Sequence, residues 1–186
     1  LPSLMKDNEM ENVMAAIRAG KPTLLLMDPL PGANLELSPR LPRPSPNSNP
    51  FMGQQQPGEP KGDINNLLNL LGVRMSQESI VWDTTNPYPQ LSHIPPEYVF
   101  ITGSDEAGEV VNGFSEDDAI TAGLQELLAF FPGAISKGTN MEASLTFEPL
   151  LRTKKDTSGM IPWTSCVTQS FLGQSLAHPE MLKRTP

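Results

Sequence analysis

Two stretches of the chain place apolar residues at helical spacing and then end at a glycine. In residues 61–72 the apolar positions fall at i, i+3, i+4 and i+7: Ile64, Leu67, Leu68 and Leu71. This spacing predicts a short amphipathic helix. Asp63 stands where a side chain caps the first turn, and Gly72 stands where the chain leaves in the left-handed conformation. Both ends of the helix are therefore predicted.

The same spacing occurs near the start of the chain, at Met10, Val13, Met14 and Ile17. Here Asp7 or Asn8 is the predicted cap, and Gly20 is the predicted left-handed exit. A third helical stripe covers residues 120–131 and stops at Pro132. We therefore predict three helices.

Three apolar runs without polar alternation predict strands that are buried on both faces. They occupy residues 23–27 (TLLLM), 80–82 (IVW) and 98–102 (YVFIT). Because a helix that leads into such a strand is half of a βαβ unit, we expect a three-layer α/β fold with a mostly parallel sheet. A buried parallel strand has a neighbour on each side, so the sheet is expected to be truncated at its N-terminal edge and the chain to be a segment of a longer protein.

Two acidic residues, Asp28 and Asp83, directly follow predicted strands. In open α/β sheets, ligands bind outside the carboxyl ends of the strands. If runs 23–27 and 80–82 lie side by side in one layer, both carboxylates emerge at a common rim and form a ligand or partner crevice. The alternative is that each acidic residue only opens a turn.

Residues 29–62 are rich in proline and glutamine and poor in large apolar side chains. They predict a flexible insertion within an α/β domain of residues 1–153. The insertion is either an extended ligand for an aromatic groove of a partner or an insertion without function.

The C-terminal third shows weaker patterns. Residues 134–137 predict a short strand, and residues 143–153 predict either an edge strand or two segments divided at Pro149. Residues 154–186 lack periodicity and are predicted to be irregular, with Ile161 and Trp163 as anchors to the core.

Charge and cysteine content exclude several classes of protein. The 186 residues carry a net charge of -8. Nucleic acid and anionic membrane surfaces require a cationic face, so neither is expected as a main partner. The single cysteine, Cys166, cannot form an intrachain disulfide. No apolar run reaches the ~18 residues of a membrane span.

No constellation of catalytic residues is visible. Cys166 lacks the flanking glycines of a nucleophile elbow, and His93 and His178 lack second ligands at zinc-binding spacing. No G-x-G-x-x-G follows an apolar strand, so a dinucleotide site is not supported. We therefore predict no catalytic residue, no metal and no cofactor.

Several short motifs nevertheless resemble one family. They are KPTLLLMDP at 21–29, INNLL at 64–68 with LGV at 71–73, IVWD at 80–83, ITAGL at 120–124, FPGA at 131–134 and PLLRT at 149–153. Their order and spacing resemble the GldG-like auxiliary, substrate-binding-like components of gliding-motility type ABC transport systems.

The resemblance implies a flavodoxin-like or glutamine-amidotransferase-like sheet without catalytic residues. It also implies a position on the extracytoplasmic (periplasmic) side of a bacterial membrane, anchored by transmembrane helices outside this chain, with permease and ATPase subunits as partners. On this basis the chain is expected to act in ligand binding or complex assembly. Two alternatives remain: a degenerate hydrolase or amidotransferase-like enzyme, and a carbohydrate-binding module that uses Trp82 and Trp163.

Overall fold

The computed structural model describes residues 4–43, 60–103, 113–170 and 173–177. The chain divides into two compact units. Unit 1 comprises Leu1–Gln77 and Ile135–Leu145, and unit 2 comprises Glu78–Ala134 and Thr146–Pro186. The predicted boundary after residue 153 stays a prediction.

The described residues contain two α-helices and eight short strands. These are α1 Asp7–Arg18, α2 Ile64–Leu70, β1 Val73–Met75, β2 Ser79–Asp83, β3 Tyr98–Thr102, β4 Glu126–Phe130, β5 Ile135–Lys137, β6 Ser158–Pro162, β7 Val167–Ser170 and β8 Gly173–Leu176. None of the described helices has the length and apolar character that crossing a membrane requires.

The strands form four antiparallel pairs, β1 with β5, β2 with β6, β3 with β4 and β7 with β8. The prediction of a three-layer, mostly parallel sheet of flavodoxin-like or glutamine-amidotransferase-like type is therefore wrong. The run at 80–82 does form a strand, but β2 pairs antiparallel with β6, from Ser79 opposite Pro162 to Asp83 opposite Ser158. An apolar run indicates burial, and it carries no information about the direction of the neighbouring strand.

The run at 23–27 is not a strand in the structure. Its side chains alternate between packing against the core and being exposed, so the run is not buried on both faces. Leu25 and Met27 pack against the core of unit 1, whereas Leu24 is 83% exposed and Leu26 is 71% exposed. The prediction of a central buried strand at this position is wrong, because one face of the run has no covering layer within the described residues.

The predictions for the two N-terminal helices are confirmed. In α2 the Asp63 side chain accepts a hydrogen bond from the Asn65 N–H at 2.9 Å, and Gly72 has a φ of +67°. Helix α1 ends before Gly20, which has a φ of +73°.

The N-cap of α1 lies one or two residues before the predicted position. Helix α1 begins at Asp7, so Lys6 occupies the N-cap position, where its backbone N–H donates to Glu9 Oε2 at 2.9 Å. A carboxylate three residues into the helix thus takes the place of the predicted Asp7 or Asn8 side chain.

The predicted helix at 120–131 is absent. Residues Glu126–Phe130 form β4 and pair with β3 along its whole length, with Phe100 opposite Leu128. Leu127 then packs against the core of unit 2, so pairing with a distant strand overrides the local helical spacing. The short strand predicted at 134–137 is confirmed as β5. The edge strand predicted at 143–153 is reduced to a single bridge between Leu151 and Phe114.

Each unit has its own apolar cluster. The buried residues of the unit 1 cluster are Met10, Met14, Ile64 and Leu67. The buried residues of the unit 2 cluster are Val81, Val99, Ile101 and Phe114.

Residues 154–186, predicted to be irregular, contain β6, β7 and β8 within their described part. Trp163 is only 3% exposed, so its predicted role as an anchor is confirmed. In the predicted insertion, residues 29–43 have defined contacts: Leu30 is buried, and Lys61 Nζ donates to the carbonyls of Pro39 and Leu41. Residues 44–59 lie outside the described part of the chain.

Candidate functional site

The first sequence-predicted site residue, Asp28, stands where the 23–27 run turns. Its Oδ1 accepts a hydrogen bond from the Leu30 N–H at 2.9 Å, which closes a local turn. Ser38 Oγ donates to the Pro29 carbonyl at 3.0 Å and holds the far side of this turn. The side chain of Asp28 therefore has a local structural role.

The electrostatic environment of Asp28 opposes its charge. Although the residue as a whole is exposed, neighbouring atoms partly desolvate the carboxyl group, and this raises its pKa above 3.8. The hydrogen bond from Leu30 lowers the pKa by a smaller amount. Among the described residues, no basic side chain contributes to this shift, so burial dominates the electrostatics of Asp28.

The second predicted site residue, Asp83, is the last residue of β2 and is only 2% exposed. Its Oδ1 accepts two hydrogen bonds, each of 2.8 Å, from the Thr85 N–H and from Thr157 Oγ1. Its Oδ2 is buried without a hydrogen-bond partner among the described residues. The Asp83 N–H donates to the Pro96 carbonyl at 2.8 Å, so the backbone is held as well.

Hydroxyl groups surround this carboxylate. Thr85 Oγ1 and Thr157 Oγ1 are 3.0 Å apart, and Thr84 binds the Thr157 carbonyl through its N–H at 3.0 Å and its hydroxyl at 3.3 Å. Beyond them, Thr153 Oγ1 and Ser158 Oγ are 2.9 Å apart. We call Asp83, Thr84, Thr85 and Thr157 the Asp83 network.

The Asp83 network joins residues that are distant in the sequence. Asp83 and Thr157 are 74 positions apart and meet because β2 pairs with β6. Sequence reasoning selected Asp83 but missed the threonines, since a Thr-rich stretch has no spacing that identifies its partner. The network can orient a carboxylate and hydroxyl groups. These groups do not form a known catalytic arrangement of a nucleophile with a general base.

Asp28 lies in unit 1 and Asp83 in unit 2. The expectation that they share a rim depended on runs 23–27 and 80–82 pairing within one sheet, and this pairing is absent. Their assignment to a ligand or partner crevice stays a prediction.

A shallow pocket that sequence reasoning missed lies in unit 1, beside the N-termini of α1 and α2. Its volume is about 390 Å³, and its lining residues are Asp7, Asn8, Met10, Glu11, Met14, Asp63 and Asn66. The lining thus contains three carboxylates, two side-chain amides and two methionines. A ligand with a cationic group and an apolar part would match this lining. Asp7, a predicted cap of α1, and Asp63, the cap of α2, were the available sequence signal.

The other residues considered for chemistry have structural surroundings. Cys166 is 0% exposed and ends the 3₁₀-helix Trp163–Cys166, so its interpretation as a buried thiol is confirmed. A nucleophile elbow would instead expose the side chain between a strand and an α-helix. His93 is exposed, and His178 lies outside the described residues. Because Trp163 is buried, it cannot stack on a sugar ring as the carbohydrate-binding alternative requires.

No metal centre is evident in the part of the chain that the structure describes. There, no three side chains of the His, Cys, Asp and Glu types are placed to hold an ion. The polar groups of both units instead close turns and join strands.

Comparison with known proteins places the chain in a family. A family model described as an ABC-type uncharacterized transport system matches residues 2–170. The chain belongs to this family of auxiliary components of ABC-type transport systems. Comparisons with curated proteins and with solved structures give no significant match. The resemblance to ABC transport auxiliaries is thus confirmed at the level of the family.

Proposed function

We propose that the chain is a non-catalytic assembly component of an ABC-type transport system of the GldG-like, gliding-motility type. The family match over residues 2–170 is the observation that carries this proposal. Its partners are the permease and ATPase subunits of the same system. It acts on the extracytoplasmic side of a bacterial membrane, held there by segments outside these residues.

A turn in unit 2 supplies a surface suited to such a partner. Asp118 Oδ1 accepts from the Ile120 N–H at 2.8 Å, and Thr121, only 3% exposed, donates its hydroxyl proton to the Ser115 carbonyl at 2.8 Å. The Leu124 N–H closes the turn on the Thr121 carbonyl at 3.1 Å. The polar groups of the turn are thus held by internal hydrogen bonds.

The same turn exposes its apolar side chains. Ile120 is 74% exposed and Leu124 is 42% exposed. Both belong to the ITAGL motif that resembles the family. Because hydrogen bonds already order the backbone of this turn, only its side chains lose conformational entropy on binding, and exposed apolar side chains of this kind favour a protein contact. We assign this turn, residues 118–124, as the partner-binding turn.

Co-purification tests the assignment. The tagged chain, expressed within its parent protein and native operon, is expected to retain the permease and ATPase subunits after mild detergent extraction. The variant Ile120→Ser/Leu124→Ser is expected to lose at least ten times as much of these subunits as Ala122→Ser. Ala122 lies in the same turn, is exposed and contributes no large apolar group.

Two outcomes would refute the proposal. Full retention of the subunits by the double variant would refute the assignment of residues 118–124 as the partner-binding turn. Failure of the native protein to retain any transporter subunit would refute the assembly role. Labelling of the native protein by a membrane-impermeant reagent in intact cells tests its extracytoplasmic position. Labelling only after lysis would contradict that position.

Ligand binding is the second candidate function, favoured by the acidic pocket of unit 1. Titration calorimetry with a small diamine is expected to give binding that Glu11→Gln weakens, because a carboxylate is replaced by a neutral amide. Glu142→Gln, an exposed acidic position in unit 1 outside the pocket lining, is the matched control. Equal affinities of Glu11→Gln and Glu142→Gln for the diamine would exclude this pocket as the binding site.

A further inference from the structure

Strand β4 in unit 2 has one open edge. The Phe131 N–H donates to the Glu97 carbonyl at 2.9 Å, and the Gly103 N–H donates to the Gln125 carbonyl at 3.0 Å. Both bonds continue the register of the β3–β4 pair, so the backbone groups of the odd-numbered residues of β4 face β3. The backbone groups of residues 126, 128 and 130 therefore face away from β3, and they have no hydrogen-bond partner among the described residues. We call these three residues the open edge of β4.

The side chains of the open edge lie on the face of the β3–β4 pair that is turned away from the core of unit 2, because Leu127 packs against that core from the other face. On the β3 side, Tyr88 covers part of this outer face through a contact with the Phe100 ring, with the ring centroids 5.7 Å apart. On the β4 side, Phe130 is 57% exposed, and the Tyr98 ring contacts it at a centroid distance of 4.8 Å. An exposed and packed aromatic ring thus lies beside the open edge.

Charge selects the kind of strand that this edge accepts. Residues 113–136 carry four carboxylates and no Lys, Arg or His. At the start of β4, the Tyr88 hydroxyl donates to Glu126 Oε2 at 2.9 Å, which orients the carboxylate and leaves its Oε1 without a hydrogen-bond partner among the described residues. Opposite charges directly across two strands stabilise the pair, and like charges destabilise it. A strand with a basic residue opposite Glu126 is therefore favoured, whereas a second copy of this chain brings a further net charge of -8.

We infer that an extended, basic segment of a transporter subunit adds to the open edge of β4 as an antiparallel strand. The inference rests on the proposed assembly role, and the open edge follows the partner-binding turn directly in the chain. Antiparallel pairing places apolar side chains of the segment opposite Phe130 and Leu128 and a basic side chain opposite Glu126. The segment therefore has the pattern apolar-x-apolar-x-basic. Its backbone hydrogen bonds provide affinity, and these three side chains provide specificity.

Peptide titration of the 186-residue chain, followed by amide hydrogen exchange in NMR, tests the strand addition. The probe is the peptide acetyl-TVTVTKT-amide, which has this pattern. Its binding is expected to slow the exchange of the Glu126, Leu128 and Phe130 amides at least tenfold. The amides of Leu127 and Ala129, which already face β3, are expected to change less than threefold. A probe that is methylated on the amide nitrogens of both valines keeps its charge and side chains but loses two donors, so we expect it not to bind.

The charge preference is tested with the peptide acetyl-TVTVTET-amide and with Glu126→Gln. The native chain is expected to bind the lysine peptide at least fivefold more tightly than the glutamate peptide, and Glu126→Gln is expected to lose this preference. Glu148→Gln, which replaces an exposed carboxylate of unit 2 outside β3 and β4, is the matched control and keeps the preference. Equal affinities of the two peptides for the native chain would overturn the assignment of a basic partner.

Other occupants of the edge give different results. Slow exchange of the three open-edge amides in the free monomer would show that a segment of this chain already covers them. Dimerisation of the free chain with protection of the same amides would assign the edge to a second copy. Either result, or equal binding of the methylated and unmethylated probes, would overturn the inference.

Co-purification within the parent protein separates this inference from the assembly role. Glu126→Lys is expected to retain at least tenfold less of the permease and ATPase subunits than Glu148→Lys, because the new lysine lies opposite the basic residue of the partner. Full retention by Glu126→Lys would overturn the strand addition and leave the assembly role intact. A native protein that retains no subunit would refute the assembly role, and the peptide titration then decides by itself whether the edge accepts a basic strand.

Discussion

Replacement of Asp83 by alanine tests whether this predicted site residue has a structural role. The substitution removes the acceptor of two hydrogen bonds of 2.8 Å, from the Thr85 N–H and Thr157 Oγ1. Hydrogen bonds to a charged group contribute about 1.5–3 kcal/mol each, or about 3–6 kcal/mol for the pair. Removing the buried Oδ2, which has no hydrogen-bond partner, recovers about 1–3 kcal/mol. Taking the middle of each range, we expect a net loss of about 2–3 kcal/mol in the free energy of unfolding.

Two matched variants separate the contributions. Asp83→Asn keeps Oδ1 as an acceptor, but it makes both hydrogen bonds neutral and places an amide group where the unpartnered Oδ2 stood, so it is expected to lose about 1–2 kcal/mol, less than Asp83→Ala. Thr157→Val preserves the shape of the side chain and removes one donor, with an expected loss of about 1–2 kcal/mol. Since Asp83 and Thr157 are in contact, the loss in Asp83→Ala/Thr157→Val is expected to be smaller than the sum of the single losses.

Urea denaturation followed by tryptophan fluorescence measures these losses, because both tryptophans, Trp82 and Trp163, lie in unit 2 with Asp83. A loss below about 0.5 kcal/mol for Asp83→Ala, or strict additivity with Thr157→Val, would refute the hydrogen-bond account. If Asp83→Ala instead retained full stability and lost the transporter subunits, Asp83 would be a binding residue, as the sequence suggested.

The remaining predictions concern unit 1. In thermal denaturation, Gly72→Ala is expected to lose more stability than Gly20→Ala. Both glycines have positive φ, so both substitutions are strained. An added Cβ at Gly72 would also clash with the Met141 side chain, whereas an added Cβ at Gly20 meets no atom within 4 Å. Comparable losses of about 1 kcal/mol would contradict this contact. Asp28→Asn keeps the acceptor for the Leu30 N–H and removes the carboxyl, whose pKa is raised in the folded state. The stability that the raised pKa contributes is present below pH 3.8 and is lost as the pH rises through the folded pKa. The free energy of unfolding of Asp28→Asn should therefore equal that of the native chain in acid and exceed it near neutral pH. A difference in melting temperature that does not change between pH 3 and 7 would exclude a raised pKa at Asp28.

The features that the sequence predicted correctly depend on neighbours within a few residues. The cap at Asp63 and the left-handed exits at Gly20 and Gly72 concern single turns of backbone. The apolar runs at 80–82 and 98–102 identified strands because such runs favour burial in any sheet. Trp163 was recognisable as an anchor because a large apolar side chain in a polar segment is usually buried.

Only the tertiary structure decided which segments meet. Residues 126–130 have helical spacing, yet they form a strand because β3 offers a complete ladder. The 23–27 run is as apolar as β3, yet it has no partner among the described residues, because apolar character does not specify a neighbour. Asp83 acquires its partner from 74 positions away, through the pairing of β2 with β6. The energy of such contacts depends on two distant segments at once, and a local pattern contains only one of them.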